Sequence, residues 1–164
     1  MDYLYAPWRS EYVTGKKSDC VFCDIAHDEE HDEINSVLYR DSQCFVVMNK
    51  YPYTPGHLLV VPLQHTDAIE NLDEAVWLHM STVVRQCSAM LRKAFRADGI
   101  NIGMNLGKAA GAGIAEHVHY HIMPRWIGDT NFITTIADTR VFSNDFQKIY
   151  TKLKENINTY VTND

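Results

Sequence analysis

Hydrophobic and polar positions along the chain change period several times, and each change predicts an element. Val37-Leu38-Tyr39-Arg40 and the nearly all-apolar run from Cys44 to Met48 read as two strands joined by a turn at Asp41-Ser42-Gln43. Asn49 to Gly56 carries two prolines and a glycine and predicts a loop. His57-Leu58-Leu59-Val60-Val61 follows as a third strand, closed by Pro62. From Leu72 the apolar residues step by three and four through Val76, Met80, Val83, Cys87, Met90 or Leu91 and Ala94, which predicts a long helix over 72–98. Asn71 with Glu74 gives its N-terminal cap signal and Gly99 its stop. Ile100 to Leu106 alternates as a fourth strand. Phe142, Phe146, Ile149, Leu153 and Ile157 mark a C-terminal helix over 143–160, capped by Ser143 or Asn144.

The sharpest pattern lies between these helices. His117, His119 and His121 alternate with Val118, Tyr120 and Ile122, so a strand would place the imidazoles on one face and the apolar residues on the other, ending at Pro124. Imidazoles in a row are costly to bury without partners, and packing alone does not call for them. A neutral histidine is a nucleophile near physiological pH, and its neighbours can donate protons or carry charge towards an anion. The row follows a small-residue loop, Gly107-Lys108-Ala109-Ala110-Gly111-Ala112-Gly113, whose backbone N–H groups suit phosphate oxygens. Such a loop can equally be a tight connection, and alternating histidines can equally be metal ligands. Their close succession favours phosphate.

Composition narrows the class. At 164 residues, 46% apolar and 22% charged, the chain reads as one globular domain over 1–164. A net charge of −6 from 15 basic and 21 acidic residues argues against nucleic acid or an anionic membrane surface as partner. No stretch approaches the roughly 18 apolar residues of a spanning helix, and Met1 to Trp8 has neither the basic start nor the apolar core of a signal peptide. Residues 1–15, with Tyr3, Tyr5, Trp8 and Tyr12, read as an aromatic arm lying against the domain or a second subunit. Asp28 to Glu33 reads as a solvated acidic loop and His79 as a surface or packing histidine.

Cysteine usage adds one more constellation. Cys44 and Cys87 fall in apolar periodic segments, which suits a reduced, cytoplasmic protein, while Cys20 and Cys23 form a close pair. Two thiolates three residues apart can chelate zinc if two further ligands exist, and His65 and an outer histidine of the row are available. A redox pair or a simply buried pair remains open, although no βαβ pattern surrounds the cysteines.

The stretch from Cys20 to Trp126 resembles the histidine triad superfamily of nucleotide hydrolases and transferases. Its signature, His-φ-His-φ-His-φ-φ with φ apolar, is matched from His117 to Met123 at every position. Asn49, Pro55-Gly56-His57, Asn105-Leu106-Gly107 and Ala110-Gly111 match in order. The Tyr51-Pro52-Tyr53 insert, Ala115-Glu116, Pro124-Arg125-Trp126 and the following Gly128 to Phe132 look most like bacterial diadenosine tetraphosphate phosphorylases. The resemblance implies an α+β fold with a five-stranded antiparallel sheet, one long helix and a C-terminal helix, assembled as a homodimer or higher homo-oligomer. It implies His119 as the nucleophile on an α-phosphorus, oriented by the His117 carbonyl. His57 and His121 would bind phosphate, Asn105 and the loop at Gly107, Gly111, Ala112 and Gly113 would contact the polyphosphate, and Asn49 would hold ribose. In zinc-containing members the structural metal ligands correspond to Cys20, Cys23, His65 and His117; no organic cofactor is implied. The reaction implied is phosphorolysis of diadenosine tetraphosphate to ADP and ATP. The alternatives are hydrolysis of dinucleotides or phosphoramidates to AMP, or nucleotide binding without turnover. One departure bears on the acceptor: Ala112-Gly113 stands where many members carry Gln, Ser or Thr.

Overall fold

The computed structural model describes residues 20–129 and 145–162. Its strands are β1 (Val37–Arg40), β2 (Cys44–Met48), β3 (Leu58–Pro62), β4 (Gly99–Gly103) and β5 (Tyr120–Arg125). They pair antiparallel in one five-stranded sheet of order β1-β2-β3-β5-β4. Helices α1 (Val21–Ala26), α2 (Glu74–Ala94) and α3 (Phe146–Tyr160) pack on it. This is the α+β architecture that the sequence resemblance implies.

Both sheet faces are covered. Cys44, Val46, Met48, Leu58, Val60 and Ile122 pack under α2 and α3, while Phe45, Val47, Leu59 and Val61 pack with Phe22 of α1 on the opposite side. Every residue of β2 and β3 is therefore buried, which is why these strands read as unbroken apolar runs. The predicted stripe of α2 buries Met80, Val83, Cys87 and Met90, each contributing about 1.5–3 kcal/mol where fully withdrawn from water. Among the described residues no helix is long and apolar enough to cross a membrane.

The β1–β2 turn is built by Asp41. Its Oδ1 accepts from the N–H of Gln43 and of Cys44, and its Oδ2 accepts from Tyr39 Oη–H and His79 Nε2–H. His79, read as surface or packing, thus ties α2 to the turn. Gln43 in turn accepts from Leu63 N–H, which carries the β2–β3 ladder past its last strand pair.

Boundaries differ from the sequence reading in several places, and Pro62, read as closing β3, is its last residue. Asp73, not Asn71, is the N-terminal cap position of α2 and makes no side-chain cap bond. Gln64 serves there instead, donating to the Asn71 carbonyl and accepting from Asp73 N–H. The helix ends at Ala94, before Arg96 at φ 50°, and Trp126 Nε1–H satisfies the Phe95 carbonyl. Gly99 accordingly opens β4, which stops at Gly103, its last pair being Gly103↔His121. At α3 the cap is Asp145, whose side chain accepts from Gln147 and Lys148 N–H; Phe142, Ser143, Asn144 and the aromatic arm over 1–15 lie outside the described residues.

A further difference concerns the histidine row. The strand runs from Tyr120 to Arg125, so His117 and His119 precede it and Pro124 lies within it. Pro124 is tolerated because β5 pairs with β3 only through Ile122, so beyond that point no donor is needed on that side. Upstream, the β3–β5 pairing ends at Val60↔Tyr120, and Val118 N–H turns to the Thr66 carbonyl. The facial alternation nevertheless holds: Val118 and Ile122 are buried under the long helices and the histidines lie on the α1 side.

Candidate active site

The site forms where β3, β5 and α1 meet. All four of its histidines are withdrawn from water: His57 and His117 are 0% exposed, His119 6% and His121 9%. Main-chain partners dictate the tautomer of each ring, since a carbonyl only accepts and a backbone N–H only donates. His119 Nδ1–H donates to the His117 carbonyl at 2.8 Å, which leaves the Nε2 lone pair free. His117 Nε2–H donates to the Pro62 carbonyl at 3.0 Å, which leaves its Nδ1 lone pair facing Cys20 and Cys23. His57 Nδ1 accepts from Tyr53 N–H, so its proton sits on Nε2 and goes to His121 Nδ1 at 2.9 Å. His121 is left with its proton on Nε2. The result is an unprotonated ring nitrogen on His119 beside an N–H donor on His121, with ring centres 4.8 Å apart.

Burial sets the charge state. It pushes His57 down to about 3 and His121 down to about 4, helped in both by neighbouring imidazoles. His119 is lowered by burial too. All three rings are neutral at physiological pH, as a nucleophile and a hydrogen-bonded relay require. Because the folded-state values lie below the ordinary 6.5, the unfolded chain takes up protons first as pH falls. The stability that His57 and His121 contribute is therefore fully present above about pH 6.5 and is lost from there down to about pH 4 for His121 and about pH 3 for His57. Denaturant midpoints should fall across that window with a slope of up to roughly 1.4 kcal/mol per pH unit for each ring. Midpoints that stay flat from pH 6.5 to 4.5 would mean these rings are not held neutral.

Other predicted residues occupy different posts. His57 sits behind His121 with both ring nitrogens engaged by protein partners, so in this geometry it supports His121. Asn49, read as a ribose ligand, donates from Nδ2 to His57 Nδ1 and accepts Tyr51 N–H on Oδ1, leaving one N–H and one lone pair of the carboxamide for another group. The loop at Gly107–Gly113 folds on itself: Ala110 and Ala112 N–H donate to the Gly107 carbonyl and Gly111 N–H to the Lys108 carbonyl. Fewer of its N–H groups face outwards than its composition promises. Gly107 and Gly111 adopt φ of 78° and 86°, the left-handed region that explains glycine at both. Asn105 is half-buried between β4 and this loop.

The second constellation is assembled in full. Cys20, Cys23, His65 and His117 place their ligand atoms within 4.8 Å of one another. Cys20 Sγ lies 3.3 Å and Cys23 Sγ 3.7 Å from His117 Nδ1, and Cys23 Sγ lies 3.1 Å from His65 Nδ1. A tetrahedral ion with Zn–S near 2.3 Å and Zn–N near 2.0 Å has edges of roughly 3.3–3.8 Å, so the donor set fits such an ion with small adjustments. The His117 tautomer suits it, with Nε2–H held by a carbonyl and Nδ1 free to ligate. All four cysteines are free of disulfides.

Two neighbours of the site went unread in the sequence. Phe22, between the paired cysteines, sets its ring edge-to-face against His117 at 5.6 Å and His119 at 4.9 Å. Tyr53 lies over His57 and His121 at 5.0 and 6.2 Å. The only signal for Phe22 was its place inside Cys20-Val21-Phe22-Cys23.

Residues 31–126 match the family model described as HIT domain. The chain is 39% identical over 110 residues to an AP-4-A phosphorylase of Mycobacterium tuberculosis, a match that covers 67% of this chain and 56% of that protein. It is 34% identical over 91 residues to an asymmetrical bis(5'-nucleosyl)-tetraphosphatase of Schizosaccharomyces pombe, covering 56% of this chain and 50% of the relative. This chain thus spans about half the length of either relative. Among solved structures, a Zn-bound histidine triad family protein from Mycobacterium smegmatis superposes with a TM-score of 0.70 at 29% identity, covering 86% of this chain and 94% of that one.

Proposed function

The chain belongs to the histidine triad family, and from that premise we propose that it transfers a nucleotidyl group from a dinucleoside polyphosphate, through His119, to inorganic phosphate. The observation that carries this reading is the His119 tautomer: Nδ1–H is held by a carbonyl, so the Nε2 lone pair needs no prior deprotonation. In the first step Nε2 bonds to the α-phosphorus of diadenosine tetraphosphate and the α–β bridging P–O bond breaks, releasing ATP. In the second, a phosphate oxygen attacks the same phosphorus and the P–N bond breaks, giving ADP and restoring neutral His119. His121 Nε2–H would hydrogen-bond a non-bridging or leaving oxygen, where charge develops. His57 and Asn49 hold His121 in place behind it.

Phosphate as acceptor is supported by the likeness to a mycobacterial phosphorylase, and by Ala112-Gly113, small residues just before the row where many family members carry Gln, Ser or Thr. Water is the competing acceptor, favoured by the likeness to a tetraphosphatase. Incubation with diadenosine tetraphosphate should yield ADP and ATP in equal amounts at a rate that rises with added phosphate. AMP as product, independent of phosphate, would transfer the assignment to hydrolysis. Absence of any product would leave a nucleotide-binding protein.

The Cys20, Cys23, His65 and His117 cluster would hold a structural zinc ion, supported by its donor chemistry. Zinc there would clamp α1 to the end of β3 and take no part in the phosphoryl steps. A homodimer is supported by β4, an edge strand with Ile102 49% exposed; sedimentation equilibrium reads the assembly directly.

A further inference from the structure

Every restraint on the His119 ring leads back to the cysteine–histidine cluster or to His121. Its Nδ1–H is fixed by the carbonyl of His117, whose own ring belongs to that cluster. One side of the ring meets His121 at 4.8 Å. Another meets Phe22 at 4.9 Å with the planes at 61°. Phe22 is 3% exposed, and its remaining ring contacts are His117 at 5.6 Å and Phe45 at 6.4 Å.

The element that carries Phe22 cannot stand alone. Helix α1 is six residues long, and Cys20 at its N-terminal cap position makes no side-chain cap bond. A helix of this length has no intrinsic stability and is held by what it touches. Its C-terminal end is held by Arg40, which donates to the carbonyls of Ile25 and Ala26 while pairing with Asp32. Its N-terminal end is held through Cys20 and Cys23 against His117 and His65. Phe22 lies between those two cysteines, so the end that the cluster secures is the end that touches the nucleophile.

We infer that Phe22 is a positioning residue, which transmits the state of the Cys20–Cys23–His65–His117 cluster to the His119 ring. With the cluster closed, α1 is seated and Phe22 bounds the His119 ring on one side, holding it to the tautomer that the His117 carbonyl selects. With the cluster open, the first turn of α1 loosens while Arg40 keeps the second. The His119 ring then gains freedom to rotate, and productive alignment is lost without unfolding. The cluster is thereby a control on the nucleophile as well as a staple.

This inference rests on His119 being the nucleophile for its kinetic consequence, but its structural content can be read without substrate. The test uses protein with 15N-labelled histidine, comparing wild type with Phe22→Leu, each before and after treatment with a zinc chelator. Wild type should show His119 as a single Nδ1–H tautomer that becomes mixed or exchange-broadened on chelation. Phe22→Leu should keep its metal content and its cooperative thermal transition, yet show the mixed His119 signal before any chelator is added. Its kcat for the dinucleotide should fall about tenfold to a hundredfold with KM nearly unchanged, as expected when a reacting group is misplaced by a fraction of an ångström. A Phe22→Leu protein whose His119 signal is unaltered would overturn the inference, as would a wild-type signal indifferent to chelation. Lack of any dinucleotide turnover in the wild type would overturn the proposed reaction alone, because the ring signals would still report the coupling. Should Phe22→Leu fail to fold, the milder Phe22→Met takes its place, and an unaltered His119 signal in that folded variant overturns the inference in the same way.

Discussion

His119→Ala is expected to abolish turnover, lowering kcat/KM by roughly 10⁴-fold or more while the protein still folds. The size follows from the mechanism. No other ring can substitute: His57 has both nitrogens engaged, His117 points its lone pair at Cys20, and His121 carries its proton on the nitrogen away from His57. Without Nε2 of His119 there is no covalent intermediate, and the acceptor would have to displace the polyphosphate directly. Loss of one imidazole from a row of buried rings costs packing, chiefly against Phe22, but β3 and β5 keep their pairing and the larger apolar layer under α2 and α3 is untouched. Brief incubation with α-labelled substrate followed by alkaline quench should leave label on the wild-type protein and none on the variant. A variant that turns over within tenfold of wild type would rule out His119 as nucleophile. His121→Ala should cost less, about 10²–10⁴-fold, because it removes a positioned proton donor and not the attacking atom.

Metal removal should produce the largest change in stability. A ligand that binds only the folded chain adds about 4 kcal/mol when its free concentration is a thousand times its dissociation constant. For a chain of this size that is roughly 10 °C in Tm. Chelation, or Cys20→Ser, should lower Tm by that order, with zinc content near one per chain in the wild type and near zero in the variant. The fold should survive, because α2, α3 and the core under them are remote from the cluster. A wild-type metal content far below one per chain after zinc supplementation, with Tm indifferent to chelator, would reduce the cluster to a pair of thiol–imidazole contacts.

How legible was this molecule in its sequence? Elements whose signal is burial were plain: β2 and β3 as apolar runs, and α2 and α3 as stripes of three and four. Boundaries set by single polar contacts were not. Nothing in the sequence shows that Gln64 would serve the first turn of α2 in place of Asn71, or that the Phe95 carbonyl would find Trp126. Pro124 read as a strand end because the rule against proline assumes neighbours on both sides, and here β3 has already stopped. Within the site, the grouping of Cys20, Cys23, His65 and His117 was foreseen, and so was the shared face of the three histidines. Their division of labour is implied by the family resemblance alone, because tautomers depend on which carbonyl or N–H lies 3 Å away, as at Pro62 and Tyr53. Those are facts of tertiary geometry, invisible to spacing.

The burial of β2 and β3 on both faces has a consequence for fidelity. In a half-exposed strand, a slip of one residue turns the apolar set towards water and is rejected at once. In Cys44-Phe45-Val46-Val47-Met48 every position is apolar, so the same slip would forfeit little burial and the hydrophobic effect cannot police alignment. Alignment must therefore be enforced by directional contacts at the strand ends. At one end Asp41 locks the turn through Gln43 and Cys44, and Gln43 then claims Leu63. At the other, Asn49 N–H meets the His57 carbonyl and the Asn49 side chain meets the His57 ring. A misaligned ladder would offer His57 to the wrong neighbour and leave His121 without its support. The aspartate far from any chemistry and the asparagine beside it are thus two ends of one proofreading device, and the reactive imidazoles inherit their alignment from it.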